Sequence, residues 1–148
     1  MKTAVVYTGS SAFAKTLTEL LPEYSTTYES VSAGFSGADM NVLDLYDTIS
    51  FSSAYEKLFA FFKSVMYYTK STESAGHTST VIIIPSGLGY KDETYLYLIK
   101  GMLKSFACEL ADYGSIVNCI ECSDRNDEKL ARLVSFFADC RAYMTAQI

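Results

Sequence analysis

Cys119 and Cys122 form the one C-x-x-C of this sequence, a spacing that could serve thiol redox chemistry or hold a metal. A structural metal site ordinarily needs four ligands. There is no second C-x-x-C, and His77 is the only histidine, so no metal is expected. Cys119 falls in an apolar, strand-like run, Ile116 to Ile120, where a free cysteine packs as a small hydrophobe. His77 lies in a polar stretch, Ser74 to Ser79, and reads as a solvated loop residue. The remaining cysteines are Cys108 and Cys140. A further feature is Thr8-Gly9-Ser10-Ser11, directly after the apolar run Ala4 to Tyr7. A turn of this kind can cradle a phosphate at the start of a helix. The plainer role for Ser10 or Ser11 is an ordinary helix N-cap.

The elements that would position these residues are legible as an alternation. Ala4 to Tyr7, Val81 to Ile84 and Ile116 to Ile120 are uninterrupted apolar runs, the pattern of strands buried on both faces of a parallel sheet. Asn41 to Tyr46 fits a further short strand. Helices are predicted over about Ser11 to Leu21, Ser53 to Lys70, Thr94 to Tyr113 and Asp127 to Cys140. The stretch Glu23 to Asp39, rich in Ser, Thr, Gly and Tyr, reads as an irregular connection. Strand and helix in alternation predict a single-domain α/β fold over residues 1–148, a reduced parallel sheet flanked by helices.

Two of the helices are apolar over more than one face. Tyr55, Phe59, Phe62 and Met66 make one stripe of the second helix, and Leu58, Phe61, Val65 and Tyr68 another. The third helix carries Tyr95, Leu96, Ile99, Met102, Leu103, Phe106 and Leu110. Covering a sheet needs one stripe only. The surplus predicts an interface through Tyr55, Phe59, Phe62, Met66, Tyr95, Ile99, Met102 and Phe106. On the last helix, Leu130, Leu133, Val134 and Phe137 should point inward, with Asn126 as N-cap and Asp127 and Glu128 on the favourable end of the dipole.

The 148 residues carry a net charge of −5 with a pI near 4.8. No basic patch is visible, which argues against nucleic acid as a partner. No apolar run approaches the roughly 20 residues of a membrane span. The first residues lack the marks of a signal peptide. The expectation is a cytoplasmic protein with reduced cysteines.

From Gly101 the chain reads G-M-L-K-S-F-A-C-E-L-A-D-Y-G-S-I-V-N-C-I. This resembles the segment that follows the catalytic lysine in short-chain dehydrogenases/reductases, with Ser105, Ala107, Glu109, Ala111, Gly114, Val117 and Asn118 in step. Leu130 to Ile148 is similar to the family's closing stretch, where Thr145 and Gln147 match and Ala146 replaces a usual glycine. Val81 to Gly89 is similar to the strand that ends in the catalytic serine, here Ser86, and Phe62 to Met66 to the helix before it. About two thirds of the chain is covered.

The resemblance implies that a Tyr–Lys pair four residues apart on one helix face should move the proton, with a Ser and an Asn in support. Counted without gaps, the Lys position is Leu96, the Tyr position Asp92 and the Asn position Ala54; only Ser86 survives. Asp92 ionises far below a tyrosine. A shifted pair, Tyr95 with Lys100, would stand about 140° apart around a helix. Tyr97 and Lys100, three apart, could meet. Either shift breaks the downstream register.

The cofactor turn of the family is glycine-rich, so that the backbone can approach the pyrophosphate. Here Thr8 and Gly9 match, Ser10 and Ser11 follow, and Ala12 and Ala14 stand for glycines. The span from Tyr7 to Ala54 is too short for the family's whole adenine pocket. These departures imply a non-catalytic subunit that binds no cofactor itself and assembles with a catalytic paralogue carrying NAD(P), such as a hydroxyacyl-CoA dehydrogenase. The alternatives are a reductase of altered mechanism using Ser86, Asp92 and Tyr95, or a flavodoxin-like binding module.

Overall fold

The computed structural model describes residues 1–31, 34–46, 51–71, 78–85, 93–139 and 145–147. In chain order the elements are β1 (Lys2–Tyr7), α1 (Ser11–Leu20), β2 (Tyr24–Glu29), β3 (Met40–Asp44), α2 (Phe51–Ser71), β4 (Ser79–Pro85), α3 (Glu93–Ala111), β5 (Ile116–Cys122), α4 (Asp127–Asp139) and β6 (Thr145–Gln147). The strands form one parallel sheet in the order β2-β1-β3-β4-β5-β6. Order reverses beside β1: the chain steps outward to β2, then crosses back to β3. That is the mark of a doubly wound α/β sheet. The order equals the flavodoxin-type order with one strand added. It equally equals the six-stranded dinucleotide order 3-2-1-4-5-6 with the outermost strand removed and the far edge extended.

The apolar runs build the centre of the sheet because each is buried on both faces. On one face, Val5, Tyr7, Leu43, Ile82, Ile84 and Val117 meet α2 and α3 through Leu58, Phe61, Phe62, Val65, Ile99, Leu103 and Leu110. On the other, Ala4, Val6, Met40, Val42, Val81, Ile83 and Ile120 meet α1 and α4 through Phe13, Leu17, Leu130, Val134 and Phe137. A strand's period of two sorts neighbouring residues onto opposite faces, so continuous apolar sequence fills both layers. Leu130, Val134 and Phe137 are buried as the sequence predicts, and Leu133 is half-buried.

The connection Glu23 to Asp39 needs correction, because it contains β2. Tyr-Ser-Thr-Thr-Tyr-Glu is mostly exposed at the sheet edge and so shows no apolar pattern. What makes it a strand is β-propensity and parallel pairing from Lys2↔Tyr24 to Tyr7↔Glu29. Parallel crossovers ordinarily spend a dozen or more residues on a helix; among the described residues between β2 and β3 there is none, and residues 34–39 pack on the sheet instead. Phe35 stands edge-on to Tyr7 and Phe61, at 4.8 and 5.6 Å between ring centres. The Ser36 N–H donates to the Tyr7 hydroxyl at 2.6 Å, and that hydroxyl donates to the Ser36 carbonyl at 3.0 Å. Buried Asn41 clamps Ala38, accepting from its N–H and donating to its carbonyl, both at 2.9 Å. Gly37 lies against α2, where a Cβ would fall 2.0 Å from Tyr68 Cβ.

Helix ends follow their sequence signals. Ser10 caps α1, its Oγ accepting from Phe13 N–H at 3.1 Å, and Asn126 caps α4 through Lys129 N–H at 3.0 Å. At the end of α3, Gly114 takes φ 78°, a conformation open to glycine, and Ser115 N–H returns to the Leu110 carbonyl at 3.1 Å. Thr69, Thr78 and Ser115 join their buried hydroxyls where α2 ends beside the start of β4. Among the described residues no helix is long and apolar enough to cross a membrane.

Candidate functional site at the carboxyl end of the sheet

In an open α/β sheet the ligand crevice lies beyond the strand carboxyl ends where strand order reverses. Here that point stands above β1 and β3. β1 delivers Thr8, β3 delivers Asp44, and the β5–α4 connection delivers Arg125, followed by Asp127 at the start of α4. Thr8 Oγ1 donates to Asp44 Oδ2 at 2.6 Å. Arg125 Nη1 donates to Asp44 Oδ1 at 3.0 Å. Its Nη2 stands 2.7 Å from Oδ2, an ion pair at an angle poor for hydrogen bonding. Arg125 Nε donates to Asp127 Oδ1 at 2.7 Å, and Ser10 Oγ donates to Asp127 Oδ2 at 3.2 Å. The Tyr46 N–H donates to Asp44 Oδ1 at 3.1 Å.

The guanidinium is enclosed. Phe13 lies 5.4 Å and Tyr46 5.3 Å from its carbon, ring centre to carbon. The Arg125 side chain is 13% exposed and that of Asp44 1%. Burial alone would disfavour the charge. The hydrogen bonds and charges of Asp44, then of Asp127, outweigh it, so the Arg125 pKa lies above its ordinary value.

Three backbone donors at this turn are already engaged within the chain. The Ser10 N–H donates to Thr8 Oγ1 at 3.0 Å, the Phe13 N–H to Ser10 Oγ, and the Thr8 N–H to the Glu29 carbonyl at 3.1 Å. These are donors that a phosphate would need. The two carboxylates beside them would repel it, and their cation already stands between them. Thr8 and Ser10, read from the sequence as a phosphate cradle or a cap, act as hydrogen-bonding members of this network and as a cap. Gly9 and Ser11 complete the turn.

A second polar cluster sits at the carboxyl end of β5. Glu121 is buried and ion-paired with Lys100 of α3. Lys100 also stands over the Tyr97 ring, 6.0 Å from its centre, while Tyr97 itself is 69% exposed. The Tyr97–Lys100 pairing is therefore ammonium to ring face, with the lysine charge engaged by Glu121.

Cys119 and Cys122 face opposite sides of the sheet, Cys119 toward α2 and α3, Cys122 toward α1 and α4. Three residues along a strand span about 10 Å, beyond the reach of a disulfide. Burial pushes the Cys119 thiol up to about 12, with Glu121 adding and Lys100 opposing. Burial raises Cys122 as well, against Arg125. Among the described residues no group of three or more His, Cys, Asp or Glu could hold a metal ion.

Of the positions matched to the family's catalytic residues, Ala54 is wholly buried under the α2–α3 layer. Tyr95 and Leu96 fall in the first turns of α3. Ser86, Asp92, His77 and Cys140 lie outside the described residues. The predicted interface set divides. Tyr55 and Phe59 are each 45% exposed, and Met66, Met102 and Phe106 are half-buried. Phe62 and Ile99 must be moved from surface to core, since both are fully buried within the chain. They support the seam from beneath: Phe62 stacks on Phe106 at 4.0 Å, and Phe59 meets Phe106 at 6.4 Å. Tyr97 and Leu98, the latter 54% exposed, are further exposed apolar residues of α3.

Sequence reading missed Asp44, Tyr46 and Arg125, and gave Asp127 only a helix-dipole role. One signal was present. Asp44 closes an apolar run, and a carboxylate ending a buried strand needs a cation. Nothing in the sequence names Arg125 as that cation. The sequence matches no family model, and a search of curated proteins finds no significant relative.

Proposed function

We propose that this chain is a non-catalytic, cytoplasmic subunit that assembles with a catalytic short-chain dehydrogenase/reductase through the α2–α3 seam. One observation carries the proposal. At the strand ends where a doubly wound sheet binds its nucleotide, Arg125 is ion-paired with Asp44 and Asp127, while Tyr55 and Phe59 of α2 are each 45% exposed. The Ala, Asp and Leu at the positions matched to the family's Asn, Tyr and Lys (Ala54, Asp92 and Leu96) accord with it, as does the lack of a crossover helix among the described residues between β2 and β3. In this reading NAD(P) belongs to the partner, and this chain supplies shape and stability rather than chemistry.

The test is affinity purification of the tagged chain from its native host, with mass spectrometry of stoichiometric companions. Recovery of an intact family member, with its Tyr and Lys in place, is the expected result. Recovery of a lone homo-oligomer rejects the heteromer.

The strand order also suits a flavodoxin-like binding module. Titration with flavin mononucleotide separates the readings, because that module would bind it at the β1 turn and the pseudo-subunit would not.

A further inference from the structure

β2 is an edge strand, and among the described residues it pairs with β1 alone. The Glu29 carbonyl accepts from Thr8 N–H on the β1 side. In a parallel ladder alternate residues turn both main-chain groups to one neighbour. Ser25, Thr27 and Glu29 thus serve β1, and Thr26 and Tyr28 turn their N–H and C=O groups outward. In the dinucleotide order another strand would lie on this edge.

Edges left open are ordinarily blunted by lysine, proline, a bulge or a covering loop. Tyr24–Glu29 contains no lysine and no proline, and its one charge is at its end. Tyrosine and threonine are strong strand formers. Tyr28 is 47% exposed.

We infer that the outer edge of β2 is a self-association surface, paired antiparallel with β2 of a second copy to continue the sheet across a two-fold axis. The sequence is self-complementary in a register centred on the strand. Main-chain bonding requires outward residues to oppose outward residues. An axis through Thr27 sets Thr26 of each copy against Tyr28 of the other. Thr27 then faces its mate, and Ser25 faces Glu29. No like charges are opposed, and threonine pairs are favourable on a sheet. The neighbouring register, about Thr26, would set Glu23 against Glu29. A surface that complements itself gives the closed two-fold contact that most homodimers use. This edge belongs to a different element from the α2–α3 seam, so it stands whether or not the heteromer does.

The test uses the full chain alone. Sedimentation velocity is run from about 1 to about 200 µM, since a dimer of this kind grows with protomer concentration. Residue-resolved hydrogen exchange is measured at both ends of that range. The expected result is a monomer–dimer equilibrium in which the Thr26 and Tyr28 amides exchange about tenfold more slowly in the dimer, as bonded edge amides should. Tyr28→Lys, at an exposed position, weakens the dimer with an unchanged circular dichroism spectrum; Thr26→Pro, which removes an outward N–H, does the same. A monomer at every concentration overturns the inference. So does a dimer whose Thr26 and Tyr28 amides exchange as they do on dilution, or one lost on Phe59→Glu and retained in Tyr28→Lys.

Discussion

Above β1 and β3, the polar side chains are turned on one another: Arg125 sits between two carboxylates and two aromatic rings, with Thr8 and Ser10 completing the hydrogen bonds. On the outer side of α2 and α3 the position is reversed. Tyr55, Phe59, Tyr97 and Leu98 are each 45% exposed or more, while Phe62 and Ile99 of the same helices fill the core. A fold usually keeps its charged, solvent-open chemistry in the crevice and its apolar residues inside. The described polar groups of the crevice are paired within the chain, and the helices keep exposed aromatic area. The comparison supports the proposed docking on the helices, because a ligand at the strand ends would have to displace a buried ion pair.

The sharpest way to break this contrast is to open the crevice. Arg125→Ala strands Asp44 as a buried charge without its cation, a change that costs about 3–5 kcal/mol. Urea denaturation should show a loss of that size, and Lys should recover only part because it cannot reproduce the forked contact. A loss near zero would mean that the crevice is open to water and could accept a ligand after all.

Next in size is the loop that replaces a crossover helix. Gly37→Ala drives a methyl group into Tyr68, and overpacking of this kind costs about 1–3 kcal/mol. The same denaturation experiment measures it. An unchanged midpoint would show that residues 34–39 are not packed on α2.

A pH effect follows on the crevice-side strand β5. The Cys119 thiol is held neutral by burial, up to about 12 against an ordinary value of 9.0. A raised acid pKa stabilises the fold while the unfolded thiol is also neutral. That contribution is complete below about pH 9 and is lost as pH rises toward 12. Stability should therefore decline by at most about 1.4 kcal/mol per pH unit between these limits. Cys119→Ala should reduce the slope. Exposed Cys108 should meanwhile react with a thiol reagent well before Cys119.

The sequence made the centre of the fold legible because buried parallel strands are written as unbroken apolar runs. It hid β2 because this largely exposed edge strand has no apolar pattern to read. The seam was legible for the same reason as the core: a helix that is apolar over too wide an arc cannot bury all of it in one layer. The two layers could not be told apart by spacing alone, so Phe62 and Ile99 were assigned to the surface although they fill the core. Arg125 was the least legible. Its partners, Asp44 and Asp127, come from different elements, and only the closing of the sheet brings β3 beside the β5–α4 connection.

The smallest expected effect on stability is the most informative for function. Phe59→Glu removes an aromatic ring that is 45% exposed and places a carboxylate one turn before Lys63, whose ammonium now stands 5.5 Å from that ring. The new i,i+4 pair is worth a few tenths of a kcal/mol and offsets part of the lost contact with Phe106. The isolated chain should keep its unfolding midpoint to within about 0.5 kcal/mol, as surface changes do. Binding should respond quite differently, because a charge buried at the centre of an apolar interface is strongly unfavourable. Under the proposed heteromer, co-purification with a catalytic partner should fall at least about tenfold, the effect of 1.4 kcal/mol. If stability and partner capture both survive, the seam is ordinary surface and the contrast with the crevice loses its functional meaning. If stability collapses instead, Phe59 belongs to the core, and the exposed stripe has been misplaced.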